Sequence, residues 1–180
     1  GQYYAPKNFN LWYYFGSLAL LMLVNQILTG IFLTMHYVPT EEGAFASVEY
    51  IMREVPYGYI VRYMHSTGAS FFFAVIYLHM FRALMYGSYK KPRELLWVLG
   101  VLPEIGPTLV EWIQGDYLPS GATINRFFAL HVIAMPLAIL GLVVLHLGAL
   151  HEVGSNNPDG VEIKQHKDAA GKPLDGIPFH

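Results

Sequence analysis

The stretch that decides the fold is residues 62–82, RYMHSTGASFFFAVIYLHMFR, in which 19 uncharged residues stand between two arginines. An α-helix rises ~1.5 Å per residue, so about 20 apolar residues cross the ~30 Å hydrocarbon core of a bilayer. Arg62 and Arg82 bound the run, and their long side chains can reach opposite interfaces while their stems stay in lipid. The stretch predicts a membrane-spanning helix at about 60–86, which we call span B.

Two further segments are long and apolar enough to span a membrane. The first, span A at about 11–37, has no Asp, Glu, Lys or Arg. The other, span D at about 125–151, contains only Arg126 among these residue types. The fold class predicted is an all-α transmembrane helix bundle, within a single membrane domain of residues 1–180.

The composition excludes several classes of protein. Apolar residues make up 54% of the 180 residues and charged residues 13%, and the mean hydropathy is +0.35, which does not fit a water-soluble globule. The chain has no cysteine, so disulfides, thiolate zinc sites, iron–sulfur clusters and thioether-linked haem are excluded. The formal net charge is −2 and no long basic block occurs, which argues against nucleic acid as a partner.

The charges between the spans indicate that one crossing is missing. Lys and Arg favour the cytoplasmic side, so the basic residues that follow span B, and those in segment 152–180 after span D, both predict a cytoplasmic position. Since span D ends inside, it must begin outside. The chain would therefore have to cross the membrane between spans B and D, but the apolar run 95–102 reaches only ~12 Å as a helix. Three interpretations stay open: a re-entrant segment, a three-span protein that violates the charge rule or, as we favour, an absent crossing, span C. An amphipathic segment outside the membrane is expected at about 103–124.

Four histidines lie inside the predicted spans, where ionisable groups are costly and are functional candidates by default. They are His65 and His79 in span B, and His131 and His146 in span D. The first two are 14 residues apart, which in a helix is a rotation of about −40° and a rise of ~21 Å. The other two are 15 residues apart, a rotation of about +60° and a rise of ~22 Å. Each span therefore presents two imidazoles at two depths.

Two helices that each carry such a pair can hold two flat cofactors between them. Haem fits best, because imidazole is a good axial ligand of iron and the macrocycle is apolar. With both axial positions filled by protein, the remaining chemistry is electron transfer. If spans B and D are parallel, His65 pairs with His131 and His79 with His146; if they are antiparallel, His65 pairs with His146. Alternatively, the histidines are satisfied polar residues of the core or a proton relay.

Spans A and B contain further residues that suit a flat anionic cofactor. Gly16 and Gly30 are also 14 residues apart, and glycine lets a ring approach a helix closely, although membrane glycines also serve helix packing. Arg62 and Arg82 each lie three residues from a histidine of span B. Their guanidinium groups could neutralise haem propionates, or could only anchor the helix at the interfaces.

Three stretches together resemble the N-terminal half of the cytochrome b of proteobacterial ubiquinol:cytochrome c oxidoreductases. They are YYFGSLALLMLVNQILTGIFLTMHY (13–37), YGYIVRYMHSTGASFFFAVIYLHMFRALMYGSYKKPREL (57–95) and INRFFALHVIAMPLAILGLVVLHLGALHEVGSNNPDG (124–160). The blocks RYMH, NRFF and HEVGSNNPDG are the most specific, and the resemblance covers nearly the whole chain.

The resemblance implies two noncovalent b haems. His65 and His131 would ligate the low-potential haem near the outer face, and His79 and His146 the high-potential haem near the cytoplasmic face. The family also places glycines of span A against the haems and arginines of span B at the propionates, here Gly16, Gly30, Arg62 and Arg82. At the inner quinone-reduction site it places a histidine and a serine, here His151 and Ser155.

The implied function is that of the dihaem subunit of a respiratory quinol:cytochrome c reductase, catalytic only within its complex. Quinol oxidised on the outer side sends one electron to an iron–sulfur protein and the other through both haems to quinone inside, which contributes to proton translocation. The substrate pair is ubiquinol and ubiquinone. The implied partners are a Rieske-type iron–sulfur subunit, a cytochrome c1-type subunit, a second copy of the complex and membrane lipid. The implied location is the bacterial inner membrane, as a multi-pass protein.

The chain departs from the family in two regions. LLWVLG (95–100) is followed directly by VLPEIGP (101–107), where the family has a third span and a PWG-containing segment. That third span is the crossing that the charges require. The family also continues beyond IPFH (177–180) with residues of the quinol-oxidation site, so none can be assigned here, and we expect the chain to be part of a longer polypeptide.

A third departure lies in span D, because many family members space its histidines 14 residues apart. Here the second histidine comes one residue later, and Pro136 stands five residues after His131. Since proline has no N–H to donate to the preceding turn, a local π-bulge can absorb one residue. We predict such a bulge between His131 and Pro136. It would turn His146 to the side of the helix that a histidine has with the 14-residue spacing.

Two competing functions are less favoured. The cytochrome b of plastoquinol:plastocyanin reductases also has the 15-residue spacing and a split chain, but it attaches an additional haem through a cysteine, which this chain lacks. A histidine-based proton or ion transporter would need carboxylates inside the spans, and none is present.

Overall fold

The computed structural model describes residues 3–91 and 120–179, which are mostly helical. Their α-helices are α1 (Phe15–Thr34), α2 (Gly43–Arg53), α3 (Gly58–Met85), α4 (Gly121–Ala129) and α5 (Met135–Val153). A 3-10 turn, Leu11–Tyr14, leads into α1, and a π-helical segment, Leu130–Ala134, joins α4 to α5. Two short strands, β1 (Tyr3–Pro6) and β2 (Gly176–Phe179), pair antiparallel.

Three helical stretches of the described residues are long and apolar enough to cross a membrane. They are Leu11–Thr34, Gly58–Met85 and Gly121–Val153, and they match spans A, B and D to within about four residues at each end. The predicted fold class, a helical transmembrane bundle, is confirmed. Most of their large apolar side chains are exposed, Leu28 to 64% and Val144 to 69%, as expected of a surface that meets lipid.

The helix α2 lies between the first two spans and is not predicted by the span pattern. Ser47 and Ile51 are buried one turn apart, so one face of this short helix packs inward. The Ser47 hydroxyl accepts the backbone N–H of Val38 at 3.1 Å, which fixes the chain between α1 and α2.

Two predicted features lie largely outside the described residues. They are the short apolar run 95–102 and the amphipathic segment 103–124. At Ser120 the described chain is already at the start of α4, and the Ser120 backbone N–H donates to the hydroxyl of Thr123 at 3.0 Å.

The described residues divide into two compact units, and spans A, B and D each contribute residues to both. The central unit contains residues 19–74 and 120–140. The terminal unit contains residues 3–18, 75–91 and 141–179.

In the terminal unit, the loop after α5 is bound to the end of α3. The Asn156 side chain donates to the backbone oxygen of Tyr86 at 2.6 Å, and Arg82 Nη2 donates to the backbone oxygen of Asn156 at 2.7 Å. The helix α5 ends at Gly154, whose φ of 79° lies in the left-handed region that glycine adopts without strain. Ile163, 1% exposed, packs beneath this loop with a methyl carbon near Gly154.

In the central unit, α1 and α3 approach closely at Gly68. A β-carbon placed on Gly68 would lie 2.7 Å from Asn25 Nδ2 and 2.9 Å from Gln26 Oε1. Glycine is therefore needed here because any side chain would collide with the polar groups of α1.

Candidate functional site

In the central unit, the structure brings His65 of α3 and His131 of the π-helical segment face to edge. Their ring centroids lie 6.0 Å apart and their planes are at 86°. The His65 Nδ1 atom is 2.9 Å from the hydroxyl oxygen of Thr29 in α1. This unit therefore holds one pair of imidazoles from spans B and D, with a polar contact from span A.

In the terminal unit, His79 of α3 and His146 of α5 form a second pair of similar geometry. Their ring centroids lie 6.2 Å apart and their planes are at 71°. Nδ1 of His79 is buried and has no hydrogen-bond partner among the described residues. The sequence leaves two pairings open. The structure contains the pairing expected for parallel spans, which is His65 with His131 and His79 with His146.

The spacing of the two rings in each pair suits a shared metal ion. Two imidazole nitrogens that bind opposite sides of one metal, each at ~2 Å, place their ring centroids ~6 Å apart. The ring planes, at 86° and 71°, are arranged edge to face and are not stacked.

The two glycines of span A lie against the imidazoles of span B. A β-carbon placed on Gly30 would lie 3.2 Å from His65 Cε1, and one placed on Gly16 would lie 3.0 Å from His79 Cε1. The sequence predicts contact of these glycines with a flat cofactor, which stays a prediction, and in the structure the ring beside each glycine is a histidine. Both glycines thus leave the space that the imidazole occupies.

The two arginines of span B have different surroundings. Nη1 of Arg62 lies 3.9 Å from the Met52 thioether, a weak acceptor, and its side chain borders a cleft of about 470 Å³. Arg82 donates to the backbone oxygen of Asn156, and its guanidinium carbon lies 5.0 Å from the centre of the Tyr86 ring. Arg62 therefore keeps more of its donors available to an anion than Arg82 does.

The predicted π-bulge is present. The π-helical segment contains His131, and the Met135 N–H donates to Leu130 O, five residues back. Pro136 follows directly and has no backbone N–H, so the wider turn breaks no hydrogen bond that this residue could have donated. The bulge absorbs one residue of the 15-residue spacing.

The two residues expected at a quinone site lie at the end of α5 and just after it. The Ser155 side chain is buried, and its hydroxyl donates to the Tyr13 hydroxyl at 3.4 Å. The side chain of His151 is exposed, while its backbone oxygen accepts from Lys164 Nζ at 2.7 Å. The structure places both residues in the terminal unit, with His79 and His146.

Three polar residues of span A were missed by the reasoning from sequence. Asn25 and Gln26 donate to the backbone oxygens of Met64 and His65 at 3.2 and 2.9 Å, and Thr29 contacts the His65 ring. The signal was available, since polar side chains inside a membrane span are rare and tend to be functional.

The comparisons with known proteins identify the family of the chain. Residues 1–102 match the family model described as cytochrome b/b6/petB. The chain belongs to the cytochrome b/b6 family. A second model, cytochrome b(N-terminal)/b6/petB, matches residues 101–175.

Several cytochrome b proteins are similar over almost the whole chain. The cytochrome b of Allochromatium vinosum is 50% identical over 99% of this chain and 52% of its own length, and that of Rickettsia conorii is 43% identical over 99% and 52%. A chain of a hyperthermophilic respiratory Complex III superposes with a TM-score of 0.87 and 32% identity, over 99% of this chain and 56% of that one. The chain spans about half the length of the curated relatives it matches.

The comparisons also support the absent crossing. The alignment with the Allochromatium cytochrome b covers 218 positions, and this chain has 180 residues, so at least 38 positions have no counterpart here. That length exceeds the ~20 residues of one span. The two family models meet at residues 101–102, where the sequence analysis expects span C to be missing.

We predict that deleting Ile133, in the π-helical segment, leaves His146 facing α3, because the bulge then reverts to regular helix. Deleting Val144, in the regular part of the same span, rotates His146 by ~100° and removes it from its pair. Both residues are large, apolar and exposed. Haem per chain, counted by the pyridine haemochrome method, should fall only in the Val144 deletion; an equal fall in both deletions contradicts the role of the bulge.

We also predict that Gly30→Ala displaces the His65 ring by a few tenths of an ångström, since the new β-carbon would stand 3.2 Å from Cε1. Such overpacking costs about 1–3 kcal/mol. Gly141→Ala is the matched control, because a β-carbon there meets nothing within 4 Å among the described residues. Thermal unfolding in detergent should show a lower midpoint for Gly30→Ala alone, and equal midpoints for the two variants would contradict the contact.

Proposed function

We propose that the chain is the haem-binding, N-terminal part of the cytochrome b subunit of a bacterial respiratory quinol:cytochrome c reductase. In this function, it binds two noncovalent b haems and carries electrons across the inner membrane from quinol oxidation to quinone reduction, which contributes to proton translocation. Two imidazole pairs carry the proposal. In each, one ring from span B and one from span D have their centroids ~6 Å apart.

The residues present fit a b haem at both positions. Each pair offers two nitrogen ligands, and on α1 a glycine keeps the space beside the span-B imidazole free. The chain has no cysteine, so the haem would be held by axial ligation and packing alone. When bound, a b haem supplies reversible one-electron transfer between the ferric and ferrous states.

The role of this chain is to hold the ligands in place. The ligands His65 and His131 belong to the central unit, and His79 and His146 to the terminal unit. Because these four histidines lie on packed helices, the residues that would hold each haem would change little between redox states. Arg62, beside its cleft, would neutralise a propionate of the haem at His65, and Arg82 would do so at His79.

The partners are proposed from the family. No residue of quinol oxidation is assigned in this chain, and the proposal includes a Rieske-type iron–sulfur subunit, a cytochrome c1-type subunit and further cytochrome b sequence. Ubiquinol and ubiquinone are the proposed substrates, and the complex is proposed to be a dimer. The apolar exposed spans support a multi-pass membrane protein in contact with lipid.

We predict that His65→Leu and His146→Leu each reduce the haem content from two to one per chain, because each removes one axial ligand of a different haem. The matched control is His36→Leu, since the His36 ring packs on Phe32 and Tyr50 and belongs to neither pair. Pyridine haemochrome counts and potentiometric titration of the b-haem absorbance would measure the content and identify the haem lost. A wild-type protein without haem, or loss of haem from His36→Leu to the same extent, contradicts the assignment.

At the inner side, His151 is proposed to donate a hydrogen bond to a carbonyl oxygen of the bound quinone, and Ser155, whose hydroxyl donates to Tyr13, is proposed to line the same site. Loss of one such bond costs ~1 kcal/mol, so His151→Leu should raise the KM for quinone about fivefold. The control is His166→Leu, since His166 lies in the same unit and pairs with Asp175 at 2.9 Å. Quinone-dependent reoxidation of the reduced b haems in the assembled complex would measure the KM, and equal values for the two variants would contradict the site.

A further inference from the structure

Span A carries a polar cluster that faces α3, formed by Asn25, Gln26 and Thr29. The first two donate to backbone oxygens of α3, those of Met64 and His65. Thr29 is 7% exposed, and its hydroxyl oxygen lies 2.9 Å from His65 Nδ1. All three side chains therefore act on the same turn of α3, the turn that contains His65.

The hydrogen bonds of Thr29 favour a proton on Nδ1 of His65. The Thr29 hydroxyl lies 2.6 Å from the backbone oxygen of Asn25, one turn back, which can only accept. The single proton of the hydroxyl is used in that bond. The oxygen must then accept from His65, so Nδ1 carries hydrogen and Nε2 presents its lone pair.

The corresponding atom of the other histidine of α3 has different surroundings. Nδ1 of His79 is buried without a hydrogen-bond partner among the described residues. The residues that precede the two glycines of span A differ: Thr29 precedes Gly30, which lies against His65, whereas Phe15 precedes Gly16, which lies against His79. The hydroxyl that contacts His65 therefore has no counterpart at the matching position of span A.

We propose that Thr29 is a positioning residue that sets the tautomer of His65 and lowers the reduction potential of the haem held there relative to the haem at His79. The inference rests on the proposed function, in which both histidines ligate haem iron through Nε2. A hydrogen bond accepted from Nδ1–H makes the imidazole a stronger electron donor, which favours ferric over ferrous iron. His79 lacks this bond, so its haem is easier to reduce.

The rest of the cluster keeps this contact in place. The bonds from Asn25 and Gln26 go to backbone atoms, so they hold α3 at a fixed height against α1 whatever the side chain at position 65. Gly68 allows the close approach that these bonds need. The distance between Thr29 and the imidazole is thus held by the contacts of Asn25, Gln26 and Gly68, about one helical turn away.

The test uses three substitutions of Thr29 in the assembled complex. Thr29→Ser keeps the hydroxyl, Thr29→Cys replaces it with a weaker acceptor, and Thr29→Val removes it at nearly equal volume. The midpoint potential of the lower-potential haem should rise in the order Ser, Cys, Val, with Ser close to wild type. The midpoint of the higher-potential haem should stay unchanged in all three.

The control is Thr34→Val in the same helix, because the Thr34 hydroxyl donates to the backbone oxygen of Ile31. This variant should leave both potentials at their wild-type values. Unchanged potentials in haem-replete Thr29→Val and Thr29→Cys, or equal shifts of both haems, overturn the inference. If Thr29→Val loses haem, the shift of the lower midpoint potential in Thr29→Cys decides whether the inference holds. Absence of haem from the wild-type complex would instead contradict the proposed function.

Discussion

The contact on which the rest of the structure depends is the pairing of two imidazoles from different spans, whose ring centroids lie ~6 Å apart in each unit. This pairing fixes the rotation of span B and of span D about their own axes, because a helix turned by one residue would present another side chain. It occurs twice along α3, at His65 and at His79, so α3 must keep regular geometry between them. The packing of span A follows, since its glycines leave the space that the rings of span B occupy.

Among the described residues, several polar groups inside the spans, though not Nδ1 of His79, form hydrogen bonds with neighbouring helices and loops. Gln26 binds the backbone oxygen of the residue that is itself a proposed ligand, and Thr29 binds its side chain. In the terminal unit, Arg82 is tied to the loop after α5 through Asn156. Since an unsatisfied polar group in hydrocarbon costs several kcal/mol, these contacts position the site and stabilise the bundle together.

Much of the fold could be predicted from sequence because it depends on length and periodicity alone. The spans, the 14-residue spacings and the bulge before Pro136 follow from helix geometry and from the missing N–H of proline. The contacts of Thr29 and Asn156 could not be predicted, because they depend on which residues of distant segments meet. The helix α2 was also missed, since its buried face is short and lies outside the spans. The quinone site stays a prediction, since neither exposure nor burial of His151 and Ser155 reveals a ligand.

The π-helical segment also bears on how such a membrane protein can evolve. A one-residue insertion in a buried helix usually changes every neighbour beyond it, so it is eliminated by selection. Beside Pro136, where one backbone bond is already absent, the change in length is confined to a single turn. Histidines separated by 14 or by 15 residues can therefore face the same side of such a helix.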